Sequence, residues 1–243
     1  MTTPAASTHA PVPAGLAVVT GAASGIGRAV AHDLTTLGWL VAGLDLAPVD
    51  GCAFSAVVDM TDGAAVAQAV RQAEVSLGVP VGAAVSVAGH YEMAPVSDIT
   101  PQAWHRMVRV HVGGLLHLTK AVLPGMIARG AGSVVAVSSE LAVGGGADDA
   151  HYAAAKGAVI GLARSLAAEV APSGVRVNVV APGPTDTPLL APDSPWREPS
   201  YLRTLPAGRL VRPDEVSRCV TFLVDEGTFC VGEVVNVNAG AVI

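Results

Sequence analysis

Residues 16–34 read LAVVTGAASGIGRAVAHDL. Leu16–Thr20 is a short apolar run rich in β-branched residues, the composition of a buried strand. Gly21, Gly25 and Gly27 follow, spaced G-x-x-x-G-x-G. Apolar residues then recur at Ile26, Val30, Leu34 and Leu37, a helical period that Gly38 stops. A strand that turns through glycines directly into a helix presents free backbone N–H groups and the positive end of a helix dipole. Glycine permits both the tight turn and a close approach by pyrophosphate. Gly21, Ser24, Gly25, Ile26 and Gly27 are therefore candidate dinucleotide-binding residues.

The same alternation continues outward. WLVAGLD, AFSAVVD, VGAAVSVAG, SVVAVSS, VRVNVVAPG and GEVVNVNAG read as further strands. Helical patterns lie between them, in DGAAVAQAVRQAEVSLG, HYAAAKGAVIGLARSLAAEVAPSG and RPDEVSRCVTFLVD. The long pattern PQAWHRMVRVHVGGLLHLTKAVLPGMIARG is expected to loosen near Gly113–Gly114 and at Pro124. Continuous apolar strands separated by helices imply an α/β fold: a parallel sheet buried on both faces and, with right-handed crossovers, doubly wound. Residues 15–243 are expected to form one domain. Residues 181–208 carry Pro182, Pro184, Pro188, Pro192, Pro195, Pro199 and Pro206 and read as a long structureless segment, with a lid over about 184–208. Residues 1–14 read as a disordered tail without the charged and apolar regions of a secretory signal.

Composition narrows the function classes. Aromatic residues make up only 4% of the 243 residues, so small and β-branched side chains must build the core. The net charge of −6 and the absence of a basic stripe argue against nucleic-acid binding. No uninterrupted apolar run predicts a membrane span. Cys52, Cys219 and Cys230 are scattered and odd in number, which fits core packing in a reducing cytoplasm. His105, His111 and His117 recur every six residues, about 240° apart on a helix, so they form no metal-binding face; no metal is expected.

Asp45 ends the second strand, where a carboxylate accepts hydrogen bonds from adenosine ribose hydroxyls and repels a 2′-phosphate. With Leu46 beside it and no nearby Arg or Lys, Asp45 favours NAD over NADP. Asp59 and Met60, after the third strand, are candidates for the adenine. Ser139 ends the fifth strand, thirteen residues before Tyr152. Tyr152 and Lys156, in HYAAAK, are four apart and share a helix face. A cation about 4 Å away at an effective dielectric of about 20 contributes about 4 kcal/mol, enough to bring a tyrosine from about 10 toward 7. That is the poise general acid–base catalysis requires.

Taken in order, TGAASGIG, Asp45, Asp59, SVAG, Ser139, YAAAK, RVNVVAPGPTDT and GEVVNVNAG resemble the short-chain dehydrogenase/reductase family over residues 15–243. The resemblance implies a Rossmann-type seven-stranded sheet in the order 3-2-1-4-5-6-7. It implies a secondary alcohol or ketone substrate, with Ser139 orienting the substrate oxygen and Tyr152 as acid/base. Lys156 would hold the ribose and lower the tyrosine pKa. Ala88 and Gly89 would line the cofactor, and Pro182, Gly183, Thr185 and Thr187 would close over the nicotinamide. It further implies a homotetramer or homodimer. The alternatives are a 3-oxoacyl-thioester reductase and, in another class, a non-catalytic dinucleotide-sensing protein.

Two positions depart from the family pattern. His111 stands where the family has a helix asparagine, and reads either as a participant in the proton relay or as a histidine that satisfies the helix kink. Ser86 and Val87 replace two asparagines, from which a packing change is expected. Glu140 reads as touching substrate or as solvated, and His151 as lining an entrance or as beginning the helix. Arg197 and Arg203 read as surface arginines or as partners of an anionic substrate. Trp196, Tyr201 and Leu202 read as covering an apolar substrate or as packing the lid itself.

Overall fold

The computed structural model describes residues 15–242; the expected tail at 1–14 lies outside the described residues. Strand β1 (Leu16–Thr20) is wholly buried, as a central strand covered on both faces must be. Helix α1 (Gly25–Thr36) buries Gly27, Val30, Ala31 and Leu34, a stripe of the predicted period. There follow β2 (Leu40–Asp45), β3 (Phe54–Val57), α2 (Gly63–Leu77) and β4 (Val81–Ser86). Asp62 caps α2, its side chain accepting from the backbone N–H groups of Ala64 and Ala65. Next come α3 (Pro101–Val108), a π-helical turn over Arg109–Gly113, and α4 (Gly114–Arg129). Then follow β5 (Gly132–Val137), α5 (Leu141–Gly144), α6 (Ala150–Val170) and β6 (Val175–Pro182). The chain closes with α7 (Pro199–Leu202), α8 (Pro213–Asp225) and β7 (Val234–Val237).

The seven strands are parallel in the order β3-β2-β1-β4-β5-β6-β7, as expected. Alternation along β1 divides the core in two. Leu16 and Val18 pack toward α2, α4 and α6, while Ala17 and Val19 pack toward α1 and α8. Cys52, Cys219 and Cys230 pack partly buried against the second of these clusters. The winding direction reverses between β1 and β4, which opens a crevice beyond their carboxyl ends.

Three details depart from the sequence expectations. The loosening of the long helix is a π turn centred on His111, whereas Pro124 sits within α4 without ending it. That continuous segment, Pro101–Arg129, is long and apolar enough by length and composition to cross a membrane. In this fold it buries Met107, Leu115, Leu118, Val122 and Met126 in the core. Residues 184–208 are not structureless. They hold a 3-10 turn at Pro195–Arg197 and α7, and Thr185 bridges to Val211.

Candidate active site

The glycine turn is held by contact rather than by freedom alone. Gly21 has φ +69° and donates its N–H to Leu44 O at 2.8 Å. A Cβ on Gly27 would lie 2.0 Å from Gly21 O, so α1 starts where no side chain fits. Thr20 Oγ1 accepts from the N–H groups of Val87 (3.0 Å) and Ala88 (3.1 Å) and so joins the ends of β1 and β4. With asparagine absent at Ser86 and Val87, this threonine makes the strand tie, a role the sequence reading did not assign.

A cavity of about 310 Å³ opens beyond these strand ends. Its floor includes Gly21, Ser24, Gly25, Ile26 and Gly27. Asp45, Leu46, Asp59 and Met60 line it, as do Ala88, Gly89 and His111. Ser139, Tyr152 and Lys156 line the same cavity, together with Pro182, Gly183, Thr185 and Thr187. Asp45 accepts from Ala23 N (2.9 Å) and Ala47 N (3.0 Å), so its carboxylate is fixed at the wall. Asp59 accepts from Thr61 N at 2.8 Å, and this bond holds its carboxyl below the usual range. The residues fit a dinucleotide: a glycine-rich turn at a helix N-terminus for the pyrophosphate and a fixed carboxylate for ribose hydroxyls.

Helix α6 places the tyrosine–lysine pair. Ser138 Oγ donates to Lys156 O at 2.8 Å, pinning α6 to the end of β5. Lys156 Nζ donates to Val137 O at 2.9 Å and lies 5.7 Å from the centre of the Tyr152 ring. Both side chains are buried. Burial pushes the Tyr152 hydroxyl well up, with the Glu140 charge adding to it, and draws the Lys156 ammonium down to about 7. Burial disfavours the charged form of each group, which opposes the lowering of the tyrosine that the family resemblance implies for Lys156.

The tyrosine ring is framed by aromatic neighbours. Tyr91 meets it edge-on at 4.9 Å and His111 at 5.6 Å, while His90 stacks on His111 at 5.4 Å. His111 Nε2 pairs with His90 O at 2.9 Å, which makes Nε2 the protonated nitrogen; Nδ1 is buried without a partner among the described residues. Burial, and then the charge of Lys156, hold His111 well below its usual pKa, so it is neutral. Gly89 gives the ring room, since a Cβ there would lie 2.4 Å from His111 Cε1.

The open alternatives resolve as follows. Glu140 is 4% exposed, not solvated, and touches Ser139. His151 is buried in the first turn of α6 and does not line the cavity. Arg197 turns inward on its own segment, pairing with Asp186 Oδ1 at 2.7 Å and donating to the carbonyls of Leu190, Ala191 and Thr187. Trp196 lines the cavity and also packs its own segment. Its Nε1 donates to Tyr91 Oη at 2.7 Å, and its ring meets Tyr201 at 4.8 Å. Arg106, which the sequence reading did not single out, and Tyr91, which it reached only within the His90–Met93 stretch expected to shape the pocket, both line the cavity. Their signal is weak, because each is placed by a loop or helix register that pattern alone does not set.

A doubly wound sheet with an anion-binding turn and a buried Ser–Tyr–Lys set facing one crevice defines the class of Rossmann-type oxidoreductases. The family model for short chain dehydrogenase matches residues 15–198, and the chain belongs to that family. It is 37% identical over 238 residues to cis-4-hydroxycyclohexanecarboxylate dehydrogenase of Sinomonas cyclohexanicum, covering 93% of this chain and 95% of that one. It is 32% identical to the 3-oxoacyl-[acyl-carrier-protein] reductase of Escherichia coli (strain K12), covering 93% and 96%. Among solved structures, the ligand-free aldohexose dehydrogenase of Thermoplasma acidophilum matches with a TM-score of 0.86 at 28% identity, over 93% of each chain.

Proposed function

We propose that this oxidoreductase is NAD(H)-dependent and interconverts a secondary alcohol and a ketone, with Tyr152 as general acid/base. The observation that carries the reading is the burial of Tyr152 and Lys156 in the wall of the cavity that also holds the glycine turn and Asp45. A bound nicotinamide would supply the hydride chemistry, as acceptor or donor of the carbinol hydride. The chain's own residues do the rest. The α1 N-terminus binds the pyrophosphate, and Asp45 accepts from ribose hydroxyls and disfavours a 2′-phosphate. Ser139 orients the substrate oxygen. Tyr152 Oη takes the alcohol proton during oxidation and returns it during reduction. Lys156 has one N–H on Val137 O and two more for ribose hydroxyls, and its charge favours the tyrosinate.

Replacing Tyr152 with Phe removes only the proton-transferring oxygen. Turnover should fall by about 10²–10⁴-fold or more, while NADH binding, followed by fluorescence, persists. Unchanged turnover would sink the mechanism, and retained binding in a wild type that turns over nothing in a broad alcohol and ketone screen would point to a dinucleotide sensor. The cofactor reading is tested by initial rates with NAD and NADP: Asp45 predicts clear NAD preference, and Asp45→Ala should narrow it.

A second reading, reduction of 3-oxoacyl thioesters, is favoured by the Escherichia coli relative and by an acetoacetyl-CoA reductase of Synechocystis that is 36% identical. Turnover of such thioesters with NADPH in preference to NADH would establish it. The name of the Sinomonas relative describes a ring alcohol that bears a carboxylate, and Arg106 in the cavity wall supplies a cation for such a group. Cyclic hydroxy acids therefore head the substrate screen. The same family reading carries assembly into a homotetramer or homodimer.

A further inference from the structure

Glu140 follows Ser139 directly, and its environment is unusual for a carboxylate. It is 4% exposed and borders the cavity. Among the described residues, no Lys, Arg or His lies within ion-pair distance of it. The titratable and charged groups that face it are Asp149 and Tyr152, from the start of α6, and Tyr201, from α7. Its one side-chain partner is Ser139, whose Oγ donates to Glu140 Oε2 at 3.2 Å.

Counting the serine's hydrogen bonds gives that contact a consequence. A hydroxyl has one proton and two lone pairs. Ser139 gives its proton to Glu140 and accepts from Leu141 N at 3.2 Å. One lone pair is left, which Tyr152 also reaches in the cofactor-free protein, and no donor remains for the substrate. Yet a ketone oxygen, or the alkoxide-like oxygen forming during hydride transfer, needs a donor from the serine. If the Glu140 carboxyl is protonated, its own O–H donates to the free lone pair of Ser139. The serine proton is then released toward the substrate, and the chain of donors is mutually strengthening.

We propose that Glu140 is a positioning residue whose protonation state decides whether Ser139 can donate to the substrate oxygen. This rests on the alcohol–ketone reading above. Burial, reinforced by the charge of Asp149, raises the Glu140 carboxyl to about 7, so the exchange falls near neutrality. The group is protonated below that value, and the donor is lost as pH rises through it. No covalent step is added: one proton moves between solvent and Glu140, and hydride transfer is unchanged.

Two measurements test the proposal. Carbon-13 NMR of glutamate-labelled, cofactor-free protein follows the Glu140 carboxyl, assigned by its loss in Glu140→Gln. In wild type it should titrate near neutrality. In Ser139→Ala it should titrate higher, because the serine bond that favours the carboxylate is gone; an unmoved titration overturns the coupling. The second measurement is the pH profile of kcat/KM for reduction of 4-oxocyclohexanecarboxylate, or of the ketone that the screen selects. A group at about 7 should cost wild type about tenfold between pH 6 and 8. In Glu140→Gln, the amide N–H mimics the protonated carboxyl at every pH, and this limb should flatten. A limb of unchanged position and depth in Glu140→Gln assigns it to Lys156 or Tyr152 and overturns the proposal. A wild type that reduces no ketone defeats the catalytic reading instead, and the NMR titration still judges the Ser139–Glu140 coupling.

Discussion

At the scale of single residues, the site concentrates buried titratable groups whose charges are all disfavoured. Tyr152 is pushed up, Lys156 comes down to about 7 and His111 is held well below its usual value. His111 therefore stays neutral across the range in which the enzyme works. It offers a protonated Nε2 to His90 O and a bare Nδ1. No limb of the pH–rate profile between about pH 6 and 9 should belong to it, and His111→Asn should retain those limbs. His111→Leu leaves the His90 carbonyl without its partner, which should cost about 1–3 kcal/mol in chemical denaturation. A loss no larger in Leu than in Asn would show that the bond does not support the π turn. The tyrosine–lysine pair was legible from sequence because i and i+4 share a helix face whatever the tertiary fold. The role of His111 was not, because its partner lies 21 residues earlier in a loop.

At the scale of elements, β1 and α1 were legible because two periods meet at a glycine turn, and strong burial enforces both. Where burial is one-sided, the strands end sooner than their apolar runs: β3 stops at Val57 and β7 at Val237. The proline-rich segment was misread for a different reason. Proline starts short helices as readily as it breaks long ones, and Pro195 and Pro199 each open a turn. The segment's internal order centres on Arg197, which ties Asp186 and the carbonyls of Thr187, Leu190 and Ala191 together. Leu189, Leu190 and Trp196 from the same segment line the cavity. Arg197→Ala should therefore loosen residues 184–208 and leave the sheet intact. The expected outcome is faster limited proteolysis within residues 184–208 and a raised KM, with a thermal midpoint close to that of wild type. Unchanged proteolysis and KM would show that the prolines alone hold the segment.

At the scale of the whole molecule, α1 and α8 cover one face of the sheet, and α2, α4 and α6 the other. Exposed apolar side chains are scattered over several elements, and two sets of them stand on α4 and near β7. Leu116 and Ile127 lie eleven residues apart on α4, about three turns, so they share a helix face, and both are exposed. At one end of the sheet, β7 is an edge strand with open backbone groups. Phe222 on α8, and Phe229 and Val231 in the connection from α8 to β7, are exposed, Phe229 to 96%. Two separate patches suit two separate two-fold contacts between copies of the chain, which is the geometry of a tetramer with a dimer as its half. A two-fold contact at β7 that covered Phe229 would bury it from both partners. At about 1.5–3 kcal/mol for each side chain, Phe229→Ser should weaken that contact by about 3–6 kcal/mol, or about 10²–10⁴-fold in dissociation constant. Sedimentation velocity should show wild type as a tetramer and the variant as dimers at micromolar concentration, with the dinucleotide still bound. A wild type that sediments as a monomer would remove the need for either patch to be covered. A variant that stays tetrameric would place the second contact away from β7.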